Sequence, residues 1–155
     1  MALLTAIALA IHVAEAYIPP LVAIPGVKLG LANIVTVYAA FTLGGGAAAM
    51  ILIARILLGS MFGGGVVSLL YSLAGGILCL LITLVLRRIL TKKQIWVAGV
   101  MGAIMHNIGQ ILVAIVVTGT PSIVSYLPIL FISGIVTGTF TGFAAQAVVN
   151  RLGKR

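Results

Sequence analysis

Apolar residues in this chain do not alternate; they run on. Continuous hydrophobic stretches predict helices over roughly Ala2–Tyr17, Leu29–Leu43, Ala47–Phe62, Val66–Leu86 and Trp96–Thr118, with a sixth ending near Asn150. A half-buried strand or a lipid-facing barrel strand would show a period of two, and these stretches show none. The breaks between them are chemical. Pro19, Pro20 and the Pro25-Gly26 pair cannot continue a helix, Gly44-Gly45-Gly46 and Gly63-Gly64-Gly65 interrupt two further runs, and Thr118 to Ser122 forms a short turn around Pro121. The second and third helices are short, which leaves room for an oblique or partly re-entrant arrangement. Within the last helix Gly134, Gly138 and Gly142 recur four residues apart.

Composition turns this pattern into a fold class. Of 155 residues, 63% are hydrophobic and 6% charged, with a mean hydropathy of +1.36. A soluble domain cannot hide that much apolar surface. We therefore expect one membrane domain over residues 1–155, an all-α integral membrane protein built as a bundle of six transmembrane helices. The start carries no basic segment before its apolar run, so it reads as a first transmembrane helix and not as a signal peptide.

The net charge of +8 follows the same logic, because the basic residues are clustered. Arg87, Arg88, Lys92 and Lys93 follow the fourth run, and Arg151, Lys154 and Arg155 follow the sixth. Six crossings place both clusters, seven of the nine Lys and Arg residues, on one side, which the positive-inside rule makes cytoplasmic. Both termini are then cytoplasmic, and nucleic acid is not the expected partner.

Acidic residues exclude more. Glu15 is the sole carboxylate side chain, and there is no aspartate. Paired-carboxylate catalysis, two-metal sites and aspartate-rich magnesium sites are out of reach. Gly63-Gly64-Gly65 is followed by Val66 and not by the lysine of a phosphate loop. Cys79 stands alone, and His12 with His106 makes no metal site. No catalytic residue, metal or cofactor is expected.

What remains are a few polar groups in apolar surroundings. In the six-crossing arrangement Glu15, Asn33, Arg55, Tyr71, His106, Asn107 and Gln110 fall toward the outer half of the bilayer, and Lys28 lies on the outer loop. Arg55 is the strongest of these signals, because a guanidinium within the membrane costs several kcal/mol, of order 2.5 or more, unless paired or wet. It can meet an anionic ligand, a carbonyl, water, or Glu15 in a structural pair that locks two helices. The Pro25-Gly26 turn, followed by helix-start N–H groups and Lys28, is a place to meet an anion, or else a loop whose lysine sits among headgroups. His106 and Asn107 also suit plain hydrogen bonds to a neighbouring helix. On the first helix Ala2, Ala6, Ala10 and Ala14 form a smooth strip that suits a partner helix or internal packing.

At PGVKLGLANIVTVYA (residues 25–39) the chain resembles the bacterial family named heptaprenyl diphosphate synthase component I, also called the Gx transporter family. The resemblance continues through ARILLGSMFGGG (54–65), LLYSLAGG (69–76), GAIMHNIGQILVA (102–114) and YLPILFISGIVTG (126–138). In size and hydropathy that family is similar to the six-helix substrate-binding S components of energy-coupling-factor (ECF) transporters. The resemblance implies a pocket toward the outside, covered by the loop at residues 18–29, and a first helix whose Ala2, Ala6, Ala10 and Ala14 dock on a membrane coupling subunit. It implies two separate ATPase subunits as further partners and a bacterial cell membrane as the location. The family name implies a second role, that of a non-catalytic companion to a prenyl diphosphate synthase. Polyprenyl synthases hold magnesium with aspartates, which this chain lacks, so it does not resemble their catalytic subunit. An isoprenoid, prenyl diphosphate or quinone-related small molecule is the expected substrate class.

Overall fold

The structure is a computed structural model that describes residues 1–15, 17–18 and 28–152. Among them are six α-helices and no strand: α1 (Ala2–Glu15), α2 (Asn33–Thr42), α3 (Gly45–Gly59), α4 (Gly65–Leu86), α5 (Ile95–Thr118) and α6 (Leu127–Leu152). The expected turn at Pro19, Pro20 and Pro25-Gly26 lies outside the described residues, as do Lys154 and Arg155.

Four stretches are long and apolar enough to cross a membrane: Gly45–Phe62, Gly65–Leu86, Ile95–Thr118 and Pro121–Arg151. The other two helices are apolar but shorter, 14 residues in α1 and 10 in α2. At about 1.5 Å per residue, α2 rises only about 15 Å, half the thickness of a hydrocarbon core. Its expected start at Leu29 moves to Asn33, and the expected end of α1 at Tyr17 moves to Glu15. The later start of α2 coincides with the contact between Glu15 and the backbone before it, described below.

Glycines make the breaks in two ways. Gly44 at φ +101° turns α2 directly into α3, a conformation that disfavours any side chain. At the second glycine run the chain does not stop: a π-helical turn over Ser60–Gly64 extends α3, and the direction changes at Gly65. The 3-10 turn Pro121–Tyr126 feeds α6, with Pro121 at its first position, where a missing N–H costs nothing.

Small residues set the helix spacing. A Cβ on Gly142 would lie 2.5 Å from the carbonyl oxygen of Trp96, and one on Gly138 would lie 2.6 Å from the Cα of Val100. The four-residue glycine spacing thus brings the α5 and α6 backbones together, the packing mode that works where lipid offers no hydrophobic drive. On the other side of α5, Gly109 meets the Ala74 carbonyl of α4. Ala8, Ala48, Ile51, Leu52 and Ile56 pack with Ala39 and Leu80 in an apolar core joining α1 to α4.

These contacts give the bundle two unlike ends. Gln146 of α6 accepts from the N–H of Ile95 at 2.8 Å and donates to the Lys92 carbonyl, while Gly44 faces the Arg87 guanidinium. The α2–α3 turn, the α4–α5 connection and the last turns of α6 therefore share the basic end. The end of α1 and the start of α2 lie at the other, where the buried polar residues gather.

Candidate functional site

His12 and Glu15, three residues apart and so on one face of α1, are both buried. Glu15 turns its carboxylate onto the backbone ahead of α2. Oε1 accepts from the N–H of Gly30 at 2.5 Å and Oε2 from that of Leu31 at 3.1 Å. The carbonyls of Gly30 and Leu31 already accept from Asn33 and Ile34, but their N–H groups have no helical partner. A carboxylate there satisfies both donors and faces the positive end of the helix dipole. The approach requires Gly30: its φ is +77°, and a Cβ would lie 2.7 Å from His106 Cδ2 and 2.9 Å from Asn33 Nδ2.

Arg55, in the body of α3, is 2% exposed. Nη2 donates to Oδ1 of Asn33 at 3.2 Å, and Nε has no partner among the described residues. No ion pair within 4.0 Å forms among the described residues, so Glu15 does not neutralise Arg55 by direct contact. Nδ2 of Asn33 and Oγ1 of Thr36, one turn further along α2, are likewise buried without partners among the described residues. Among the described residues the buried Arg55 guanidinium is bonded only to a neutral amide, without the compensation such a charge needs.

Above this cluster the chain is held at Lys28. With its amide oriented to pair every neighbour, the fully buried Gln110 accepts from the Lys28 N–H at 3.0 Å and from His106 Nε2 at 3.2 Å, and donates to the Lys28 carbonyl at 2.9 Å. The Lys28 ammonium reaches His12 Nε2 at 3.1 Å. Burial pulls that ammonium below the ordinary lysine range; the Glu15 carboxylate opposes the shift and Arg55 adds to it. The His106 ring is wedged between two glycines, with Gly30 on one side and Gly75 of α4 on the other; a Cβ on Gly75 would sit 2.5 Å from Nδ1.

Six of the eight residues proposed from sequence thus meet in one network: Glu15, Lys28, Asn33, Arg55, His106 and Gln110. Two lie elsewhere. Tyr71 packs in an apolar cluster with Ile111, Ala114 and Leu130. Asn107, about 100° around α5 from His106, donates to the Leu130 carbonyl of α6 at 2.7 Å, and its own Oδ1 is unpartnered. His12 is a member that the sequence reading weighed only as a metal ligand. Its spacing from Glu15 was the available signal.

Outside the network, Ala2, Ala6, Ala10 and Ala14 are all exposed. Ala6, Ala10 and Ala14, with Val13, Tyr17 and Phe62, line an open apolar groove of about 590 Å³.

No curated protein and no solved structure matches this chain. A family profile does. Described as heptaprenyl diphosphate synthase component I, it covers residues 4–148, which takes in every residue of the polar network and reaches into the last turns of α6. The chain belongs to the heptaprenyl diphosphate synthase component I family.

Proposed function

We propose that this protein is the substrate-capture subunit of an ECF-type uptake transporter, and that Arg55 and Lys28 receive an anionic group of its small-molecule substrate. The observation that carries this reading is the state of Arg55: buried, bonded to a neutral amide, and out of ion-pair reach of the chain's one carboxylate. A buried cation in this state is a default candidate for meeting an anionic partner. Asn33, His106 and Gln110 frame the same region, and Glu15 sets the backbone over it. Tyr71 and Asn107 lie outside the polar network and enter this reading only as flanking residues. The body of the substrate is isoprenoid- or quinone-related, in keeping with the family's description and the apolar helices around the site.

In this reading the chain is a single membrane domain in a bacterial cell membrane, with six crossings and both termini cytoplasmic. The exposed alanine face of α1 docks a membrane coupling subunit that works with two ATPase subunits. In the same reading the chain is not itself an enzyme; this is supported by its sole carboxylate side chain giving both oxygens to backbone N–H groups, which leaves no carboxylate pair for acid–base catalysis.

A second reading is favoured by the family's description. There the chain is a non-catalytic membrane component that accompanies a prenyl diphosphate synthase in isoprenoid or menaquinone side-chain synthesis. Affinity purification from native membranes separates the two. Transport predicts co-isolation with ATPase and coupling subunits, lost in Ala10→Leu, which adds bulk to an exposed position where backbones would approach closely. Co-isolation with a soluble prenyl synthase, unaffected by Ala10→Leu, would overturn the transport reading.

A further inference from the structure

Charge at the site can be counted residue by residue. Lys28 and Arg55 supply two cations, and Glu15 supplies one anion. Residues 19–27 carry no ionisable side chain, so wherever that segment lies it changes nothing in this count. The two histidines add none either. His12 Nε2 faces the Lys28 ammonium at 3.1 Å and must accept from it, which requires a neutral ring. His106 donates through Nε2 to Gln110, and its Nδ1 is buried without an acceptor among the described residues, so a second proton there would be a buried unpaired charge. Arg87, Arg88, Lys92, Lys93 and Arg151 belong to the opposite end of the bundle. Counted over the described residues and the uncharged segment 19–27, the region around Arg55 therefore carries one net positive charge.

We infer that the group received there is a monoanion, a carboxylate, and not a diphosphate. The inference rests on the reading that Arg55 meets an anionic group. One negative charge brings the buried cluster to neutrality. A single phosphate monoester already carries about −1.5 to −2 at neutral pH, and a diphosphate more, so it would leave buried negative charge uncompensated. Diphosphates are usually accompanied by a divalent cation, but Glu15 already gives both oxygens to Gly30 and Leu31, and the chain has no aspartate to hold one. The open hydrogen-bond capacity fits the smaller group. The buried groups left without partners among the described residues include the Arg55 Nε–H, the Asn33 amide N–H and the Thr36 hydroxyl, neutral or singly charged donors for the two oxygens of a carboxylate.

The test uses simple anions on the purified full-length protein in nanodiscs: acetate against pyrophosphate, titrated at constant ionic strength, with thermal unfolding as the readout. Phosphate-type salts stabilise any folded protein by exclusion, so the quantity compared is the part of the shift that disappears in Arg55→Gln. Lys28→Gln, at a half-buried loop position, supplies the same comparison should the arginine variant fail to fold. The expected result is a saturable shift with acetate, lost in the variants, with a half-saturating concentration at least tenfold below that of pyrophosphate. Pyrophosphate saturating first, and losing its effect in the variants, would overturn the carboxylate while leaving anion capture standing. If neither anion's effect depends on Arg55 or Lys28, both the inference and the capture reading fail.

Discussion

Replacing Glu15 by glutamine changes one atom and should cost more than its size implies. The carboxylate accepts from two backbone N–H groups at a site 4% exposed. Glutamine keeps one acceptor and turns an NH₂ toward the other donor, leaving a buried N–H unpaired at about 1–3 kcal/mol. The surviving bond loses its charge assistance, worth roughly another 1 kcal/mol. We expect a total of about 2–4 kcal/mol, which for a chain of this size is a fall of roughly 4–16 °C in Tm. Arg55→Gln should behave differently. It removes a buried cation whose one described hydrogen bond is to an amide, so its stability should be unchanged or raised while binding suffers. Reversible thermal unfolding of both variants in the same nanodiscs measures this. A Glu15→Gln melt within about 1 °C of the parent would refute the capping argument. Equal losses in the two variants would show that Glu15 and Arg55 lock each other.

Gly142→Ala should destabilise by about 1–3 kcal/mol, because its Cβ meets the Trp96 backbone, which cannot rotate away. Gly46→Ala, with nothing within 4 Å of the added methyl, should instead be neutral or stabilise α3 by up to about 1 kcal/mol; chemical denaturation of the pair checks both. Gln110→Leu should release the Lys28 backbone and leave His106 Nε2 unpaired, raising amide hydrogen exchange at residues 28–31 while leaving the α5–α6 contact protected. A cysteine at position 92 in a Cys79→Ala background should escape an impermeant thiol reagent in intact cells, as a cytoplasmic basic end requires; labelling there would overturn the topology.

Much of the architecture was legible because lipid leaves a chain few options. Runs of apolar residues broken by Gly44, Gly65 and Pro121 delimit helices with little help from tertiary contacts. The largest shift, the start of α2 from Leu29 to Asn33, lies where Glu15 caps the backbone across the α1–α2 connection, a contact that no local pattern encodes. Arg55 was visible as a lone cation in an apolar run. Its partner was not: Glu15 and Asn33 occupy similar depths, and the choice between them depends on where the Gly30 and Leu31 N–H groups lie. Depth along a helix and the turn of about 100° between successive residues are readable from sequence, but which neighbouring helix each face meets is not. For that reason His106 and Asn107, neighbours in sequence, face different helices, and Tyr71 ends among apolar side chains.

The central claim is that Arg55 holds an anionic small molecule. Mass spectrometry of the compounds that co-purify from native membranes with the parent protein and with Arg55→Gln tests it most directly. The account predicts at least one anionic species enriched with the parent and depleted tenfold or more in the variant, in keeping with loss of a charge-assisted contact worth about 2–5 kcal/mol. Identical sets of bound compounds from two equally folded proteins would contradict it.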